Sequence, residues 1–193
     1  ILREKDRAML VEFDSGVTLL QDFTSDPNKL AREIRKLKAA GGTALYDAIF
    51  MTCDEKMIRE TGRKAIIILS DGDDESSNTT YQQALEMALR AEATIFAISV
   101  SKGGFFGVEE SREGDTVLRN MARETGGRVF FPFKLSELDD NFRRINQELR
   151  SQFSIGYYST NTARDGSFRK IEIKAAERGL QLRHRRGYYA PNN

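Results

Sequence analysis

Short apolar runs alternate with amphipathic stretches along most of the chain. Residues 7–13 (Arg-Ala-Met-Leu-Val-Glu-Phe) predict a buried strand, Ser15-Gly16 a turn, and Val17 to Phe23 a second strand. Asp26-Pro27 predicts a helix start, with Asp26 as N-cap and Pro27 at the first helical position. Leu30, Ile34 and Leu37 repeat on one face of that helix. After Gly41-Gly42, a second helix is predicted from about Ala44 to Arg59, with Leu45, Ile49 and Met57 on its apolar side. Lys64 to Leu69 is short, continuous and β-branched, the pattern of a strand buried on both faces of a parallel sheet. Helix 80–91, strand 93–100, a Gly-rich loop at 102–114 and a helix at about 115–125 follow. Gly126-Gly127 stops that helix, residues 128–131 predict a strand, and Ser136 with Asp139 opens helix 136–150 in capping-box fashion. Its stripe is Leu138, Phe142, Ile145 and Leu149.

This alternation predicts an α/β fold with three layers and a doubly wound, mostly parallel sheet, in which strand 17–23 is antiparallel at one edge. The pattern changes after residue 150. Residues 153–159, 168–175 and 180–186 predict a C-terminal antiparallel β meander, with Asp165-Gly166 turning between the first two strands. The expected division is an α/β domain over 1–150 and an extension over 151–193.

Composition sharpens that division. The first 150 residues hold 22 basic and 26 acidic side chains, and the last 43 hold 8 and 3. An excess of this size is ordinary for a solvated sheet, so no nucleic-acid partner is expected. The longest apolar run, Ala65 to Leu69, is far below the roughly 20 residues of a membrane span. One cysteine, Cys53, excludes an internal disulfide. Its spacing from Ile49 and Met57 favours a buried hydrophobe over a reactive thiol. Ile1 to Asp6 has no signal-peptide core and reads like the end of a helix, so an upstream segment is expected.

In a parallel α/β sheet, ligands bind at the loops leaving the carboxyl ends of the strands. Three loops belong there: Gly41-Gly42-Thr43, Ser70 to Ser77, and 102–114. Asp71, one residue past a buried strand, is a rigidly held carboxylate suited to a hard cation such as Mg²⁺ or Ca²⁺. Asp73, Asp74 and Glu75 add acidity beside it. The same loop also reads as an Asp-Gly turn trailing a solvated acidic stretch, and the residues alone leave both readings open. An EF-hand is not expected, because the twelfth-position glutamate is missing.

Two segments, Gly41-Gly42-Thr43-Ala44-Leu45-Tyr46-Asp47-Ala48 and Ile66-Ile67-Ile68-Leu69-Ser70-Asp71-Gly72, resemble the second and third metal-site segments of the von Willebrand factor type A (vWA) domain. The end of the chain, with Ile155-Gly156-Tyr157-Tyr158, Phe168-Arg169-Lys170-Ile171 and Arg186-Gly187-Tyr188-Tyr189-Ala190-Pro191, resembles a bacterial vWA-related family known mainly from acidobacteria. The resemblance implies a non-catalytic, adhesion-type module with a metal ion-dependent adhesion site. Thr43 and Asp71 would be ligands to Mg²⁺ (or Mn²⁺ or Ca²⁺), Asp47 would stand behind them, and the partner would be a protein presenting an acidic side chain. It also implies an extracytoplasmic or secreted location.

The first metal-site motif of that family, Asp-x-Ser-x-Ser, occurs nowhere in this sequence. Metal binding by this chain is therefore expected to be weak or absent. In the family sheet the strand bearing that motif lies between those matching 7–13 and 64–69. The gap is expected to be filled by an upstream segment, a swapped strand or a partner strand, with the 151–193 meander as a local candidate.

Two other classes compete. A Mg²⁺-dependent phosphotransfer or hydrolytic enzyme would use Asp71 and Asp73 as a strand-end pair, and a scaffold would bind no metal. His184, in a basic stretch, is expected on an exposed strand, and Tyr157-Tyr158 and Tyr188-Tyr189 are expected to pack on the α/β body. Phe105 and Phe106, flanked by glycines, are candidates for a partner-binding tip or for folding back into the core.

Overall fold

Residues 93–99 are the most deeply buried of the described strands, with Ile95, Phe96, Ala97 and Ile98 all buried. The computed structural model describes residues 2–38, 41–100, 113–177 and 179–192. In chain order the strands are β1 (Ala8–Phe13), β2 (Val17–Thr24), β3 (Lys64–Ser70), β4 (Ala93–Ser99), β5 (Val129–Phe130), β6 (Phe168–Lys170) and β7 (Gly187–Tyr189). The α-helices are α1 (Pro27–Ile34), α2 (Leu45–Met51), α3 (Tyr81–Arg90), α4 (Glu113–Thr125) and α5 (Leu138–Arg150).

β3, β4 and β5 form a parallel sheet, with Lys64 opposite Ala93 through Ser70 opposite Ser99, and Ile98 opposite Phe130. Successive side chains of a strand point to opposite faces. Ile68, Ile95 and Ala97 accordingly meet α2, α3 and α4 through Leu45, Ile49, Ala84, Ala88, Leu118 and Met121. Phe96, Ile98 and Phe130 meet α5 on the other face through Ile145. This is the expected three-layer α/β fold. No helix among the described residues is long and apolar enough to cross a membrane.

The helix predicted over 44–59 forms, but in three geometries: α2, a π turn at Thr52–Lys56 and a 3₁₀ turn at Met57–Arg59. Leu45, Ile49, Cys53 and Met57, spaced by four, are all buried. A spacing of four drifts around a 3.6-residue helix, and the wider π turn keeps the stripe on the core. Burial pushes the Cys53 thiol up to about 12, so it is the inert hydrophobe its spacing suggested.

Asp26 caps α1 by accepting from the Asn28 N–H at 2.9 Å. That helix stops at Ile34, leaving Leu37 outside it and exposed. Ser136 does not cap the last helix. A 3₁₀ turn at Leu135–Glu137 precedes α5, so the cap position falls on Glu137, which makes no side-chain capping bond.

β1 and β2 pair antiparallel, closed by a turn in which the Gly16 N–H donates to Asp14 at 3.0 Å. They form a ribbon separate from the β3 sheet, and no described strand lies between β1 and β3. Lys56–Asp22 at 2.7 Å, Arg7–Glu60 and Arg150–Asp6 at 3.4 Å tie the ribbon to the body. Among the described residues β3 consequently has one free edge, and Ile67 and Leu69 remain 39% and 45% exposed.

The three-strand meander expected after residue 150 is replaced by one antiparallel pairing, β6 with β7. Residues 153–159 and 180–186 are not strands, and Asp165-Gly166 does not join two of them. Asp165 instead accepts from the Ser167 N–H and hydroxyl, and residue 165 bridges to Asn192. Pairing forms where side chains also pack: the Phe168 and Tyr189 rings lie 5.2 Å apart, and Arg90 of α3 stacks on Tyr189 at 4.5 Å. Tyr158 has no such support and is fully exposed, contrary to the packing expected of it. The tail therefore does not fill the place between β1 and β3.

Candidate functional site

β3 and β4 end side by side on Ser70 and Ser99, both buried. The Ser70 hydroxyl accepts from the Gly72 N–H at 3.0 Å, and the Ser99 hydroxyl donates to Asp115 of α4 at 2.6 Å. Asp71 follows, half-buried at the rim. Gly72 has φ +86°, and a Cβ there would stand 2.1 Å from the Gly114 carbonyl oxygen. Only glycine lets this turn press onto the start of α4.

Thr43 lies in the loop before α2, and its carbonyl accepts from the Glu75 and Ser76 N–H groups at 3.0 and 3.1 Å. Further bonds join the two loops. Ala44, at the N-cap of α2, has no side chain to cap with, and the first-turn amides are satisfied from across the loop. Asp74 accepts from the Tyr46 N–H at 2.8 Å and the Ser77 hydroxyl accepts from the Asp47 N–H at 2.9 Å. Asp74 also takes the Ser77 hydroxyl at 2.7 Å. In return, the Asp47 carboxylate accepts from the Asn78 and Thr79 N–H groups at 3.0 and 2.8 Å. Desolvation pushes the Asp47 carboxyl up, but its hydrogen bonds with Thr79 and Asn78 outweigh that and hold it below the ordinary range.

The acidic residues thus divide by task. Asp47 and Asp74 are spent on backbone amides, while the Thr43 hydroxyl and Asp71 carboxylate make no hydrogen bond among the described residues. Asp73 is exposed, and its Oδ1 lies 2.6 Å from where a Cβ on Gly114 would stand, so it turns toward α4. No group of three or more His, Cys, Asp or Glu gathers among the described residues. Thr43 and Asp71 fit a hard cation in kind, as free oxygen donors, but they are two against the roughly six oxygens that Mg²⁺ takes.

Sequence reasoning missed Asp74 and Ser77 as the pair that caps α2. The only local signal is an Asp followed three residues later by a Ser, a common self-bonding turn pattern. His184 is half-buried and on no strand, with Nδ1 2.8 Å from the Arg185 carbonyl, which corrects the exposed strand expected for it. Phe105 and Phe106 lie outside the described residues.

A parallel sheet between helix layers, with a Thr loop and an Asp loop interlocked at its carboxyl rim, is the architecture of a vWA domain. The sequence profile of the von Willebrand factor type A domain matches residues 2–74, which run from the ribbon through the Asp71 loop. In fold it is similar to a von Willebrand factor type A protein from Catenulispora acidiphila, with 20% identity and a TM-score of 0.58 over 74% of this chain and 33% of that one. It is also similar to an aerotolerance-related membrane protein from Bacteroides fragilis, with 17% identity and a TM-score of 0.57 over 78% and 82% of the two chains. A third likeness is the conserved hypothetical protein BatB from Bacteroides thetaiotaomicron, with 16% identity and a TM-score of 0.56 over 77% and 82%. Among curated proteins, an uncharacterized protein of Borreliella burgdorferi is 24% identical over 89% of this chain. The chain spans half the length of that relative, 50%.

Proposed function

We propose that the chain belongs to a non-catalytic recognition module in which a divalent cation, held in part by Thr43 and Asp71, meets an acidic side chain of a protein partner. One observation supports this above the rest: on a rim where Asp47 and Asp74 are tied to backbone amides, the Thr43 hydroxyl and Asp71 carboxylate make no hydrogen bond among the described residues. A bound Mg²⁺ would supply a Lewis-acidic position for a carboxylate, and loops clamped by Asp47, Asp74 and Ser77 would keep the two donors in place. The remaining donors would come from an Asp-x-Ser-x-Ser strand seated on the free edge of β3, in the space that separates it from the β1–β2 ribbon. Placement at or outside a membrane belongs to the same reading, since one structural neighbour is an aerotolerance-related membrane protein. The enzyme alternative is weaker, because Asp73 turns toward α4.

The test has three arms. Titration of the 193-residue chain with Mg²⁺ is expected to give weak or undetectable binding, and a micromolar affinity lost in Asp71→Ala would overturn the two-donor account. In the parent protein, capture of acidic peptides should require Mg²⁺ and vanish in Thr43→Ala and Asp71→Ala; capture that survives EDTA sinks the metal-assisted reading. Hydrolysis of phosphate monoesters abolished by Asp71→Asn and Asp73→Asn would replace recognition by catalysis.

A further inference from the structure

The strongest charge feature away from the Thr43–Asp71 rim lies at the opposite end of the sheet, where β5 begins. α4 ends at Thr125, Gly126 turns with φ +85°, and the chain enters β5 through Gly127 and Arg128. Residues 182–186 cross this turn closely. A Cβ on Gly126 would stand 2.7 Å from the Arg185 nitrogen, and the Arg186 N–H donates to the Glu124 carbonyl at 2.8 Å. Between the turn and the crossing segment is a cleft of about 270 Å³ lined by Arg119, Arg123, Arg128, Arg183, His184 and Arg186.

Two carboxylates answer these charges. Glu148 takes Arg183 at 2.7 Å and Arg128 at 3.2 Å, and Glu124 takes Arg123 at 3.3 Å. Arg119 lies over the Phe131 ring, 4.0 Å from its centre, and neither Arg119 nor Arg186 has a carboxylate partner among the described residues. The carboxyl end of α4 contributes only about half a negative charge. The cleft therefore keeps a surplus of positive charge inside a concave, partly apolar wall. Nδ1 of His184 faces the Arg185 carbonyl, which leaves Nε2 as the unengaged ring nitrogen.

We propose that this cleft binds a small multivalent oxyanion, a molecule bearing phosphate or several carboxylates, gripped first by Arg119 and Arg186. A planar guanidinium pairs with either group through two parallel hydrogen bonds. The volume is near the lower end of small-molecule pockets, about 300–1,000 Å³, which suits a compact ligand rather than a folded partner. The site is distinct from the Thr43–Asp71 rim and does not depend on a metal there. Much of its charge comes from 151–193, the segment with the basic excess.

The experiment is calorimetric titration of the full chain with inorganic pyrophosphate and, separately, citrate, at fixed ionic strength. Saturable binding is expected for at least one of them, and which one binds identifies phosphate or carboxylate as the source. Affinity should fall about tenfold or more in Arg119→Gln and in Arg186→Gln, each of which removes a charge-assisted guanidinium pairing, and stay unchanged in Lys29→Gln on α1. Neither arginine is in an ion pair among the described residues, so both variants should keep the wild-type circular dichroism; if one does not, the other decides. Absence of saturable binding by both anions, equal affinity in wild type and folded Gln variants, or binding of an acidic peptide but of neither small anion would overturn the proposal.

Discussion

β4 and the stretch from Phe153 to Tyr158 are both short, apolar and rich in residues that favour strands, yet they end in opposite environments. β4 has a hydrogen-bonded neighbour on each edge and helices over both faces, and Ile95, Phe96, Ala97 and Ile98 are buried. Phe153 is 93% exposed, Tyr158 wholly so, and the segment between them pairs with no strand among the described residues. β3 stands between the two extremes: Ile68 faces α2, α3 and α4 and is buried, while Ile67 and Leu69 point to the opposite face and are not. Apolar content makes a segment able to be a strand. A free edge in register and a covered face make it one, because unpaired backbone groups cannot be buried without loss.

The largest expected effect tests the buried member of the pair. Phe96→Ala should cost about 3–5 kcal/mol, read by urea denaturation, because it opens a cavity between β4 and α5. A loss below about 1 kcal/mol would mean that the two regions differ less than their burial implies.

An intermediate effect belongs to the loops that cap α2. Asp47→Ala strands the Asn78 and Thr79 amides, of which only Thr79 is partly shielded, so a loss of about 1–2 kcal/mol is expected. The contribution also has a pH signature. The folded Asp47 carboxyl sits below its ordinary value of 3.8, so between the two values the unfolded chain binds more protons. The stabilisation is full above the ordinary value and lost as pH falls through the folded one. Wild type and Asp47→Ala should therefore converge in stability at low pH. A gap that stays constant from neutrality down to acid unfolding would show that the carboxylate is not what holds the loop.

The smallest effect is expected in the tail. Tyr158→Ala should leave stability within about 0.5 kcal/mol of wild type, since the ring is bare to solvent. A larger loss would show that something covers the tail in solution and would dissolve the contrast with β4.

Much of the fold was legible because its signals are local. Asp26-Pro27 starts a helix wherever it occurs ahead of an apolar repeat, and the Lys64–Leu69 run could hardly be other than an inner strand. Reading failed where the outcome turned on a partner. Ser136 looked like a cap, but a preceding 3₁₀ turn moved the cap to Glu137. Residues 153–159 looked like a strand, but they join no sheet among the described residues. At the rim, Thr43 and Asp71 could be picked out by resemblance to a motif, whereas Asp74 and Ser77 could not, because the amides they cap are 28 and 30 residues away.

The sequence by itself determined the order and type of the inner elements, the parallel sheet they make and the inert burial of Cys53, since periodicity and capping act within a few residues. Only the tertiary structure decided that the β1–β2 ribbon stands apart from the sheet, and that Asp47 and Asp74 are consumed by amides while Asp71 is left free. It alone gathered arginines from α4, the turn before β5 and the tail around that turn. Each of these outcomes depends on which distant groups compete for the same hydrogen bond or charge, and that competition is settled only when the chain is folded.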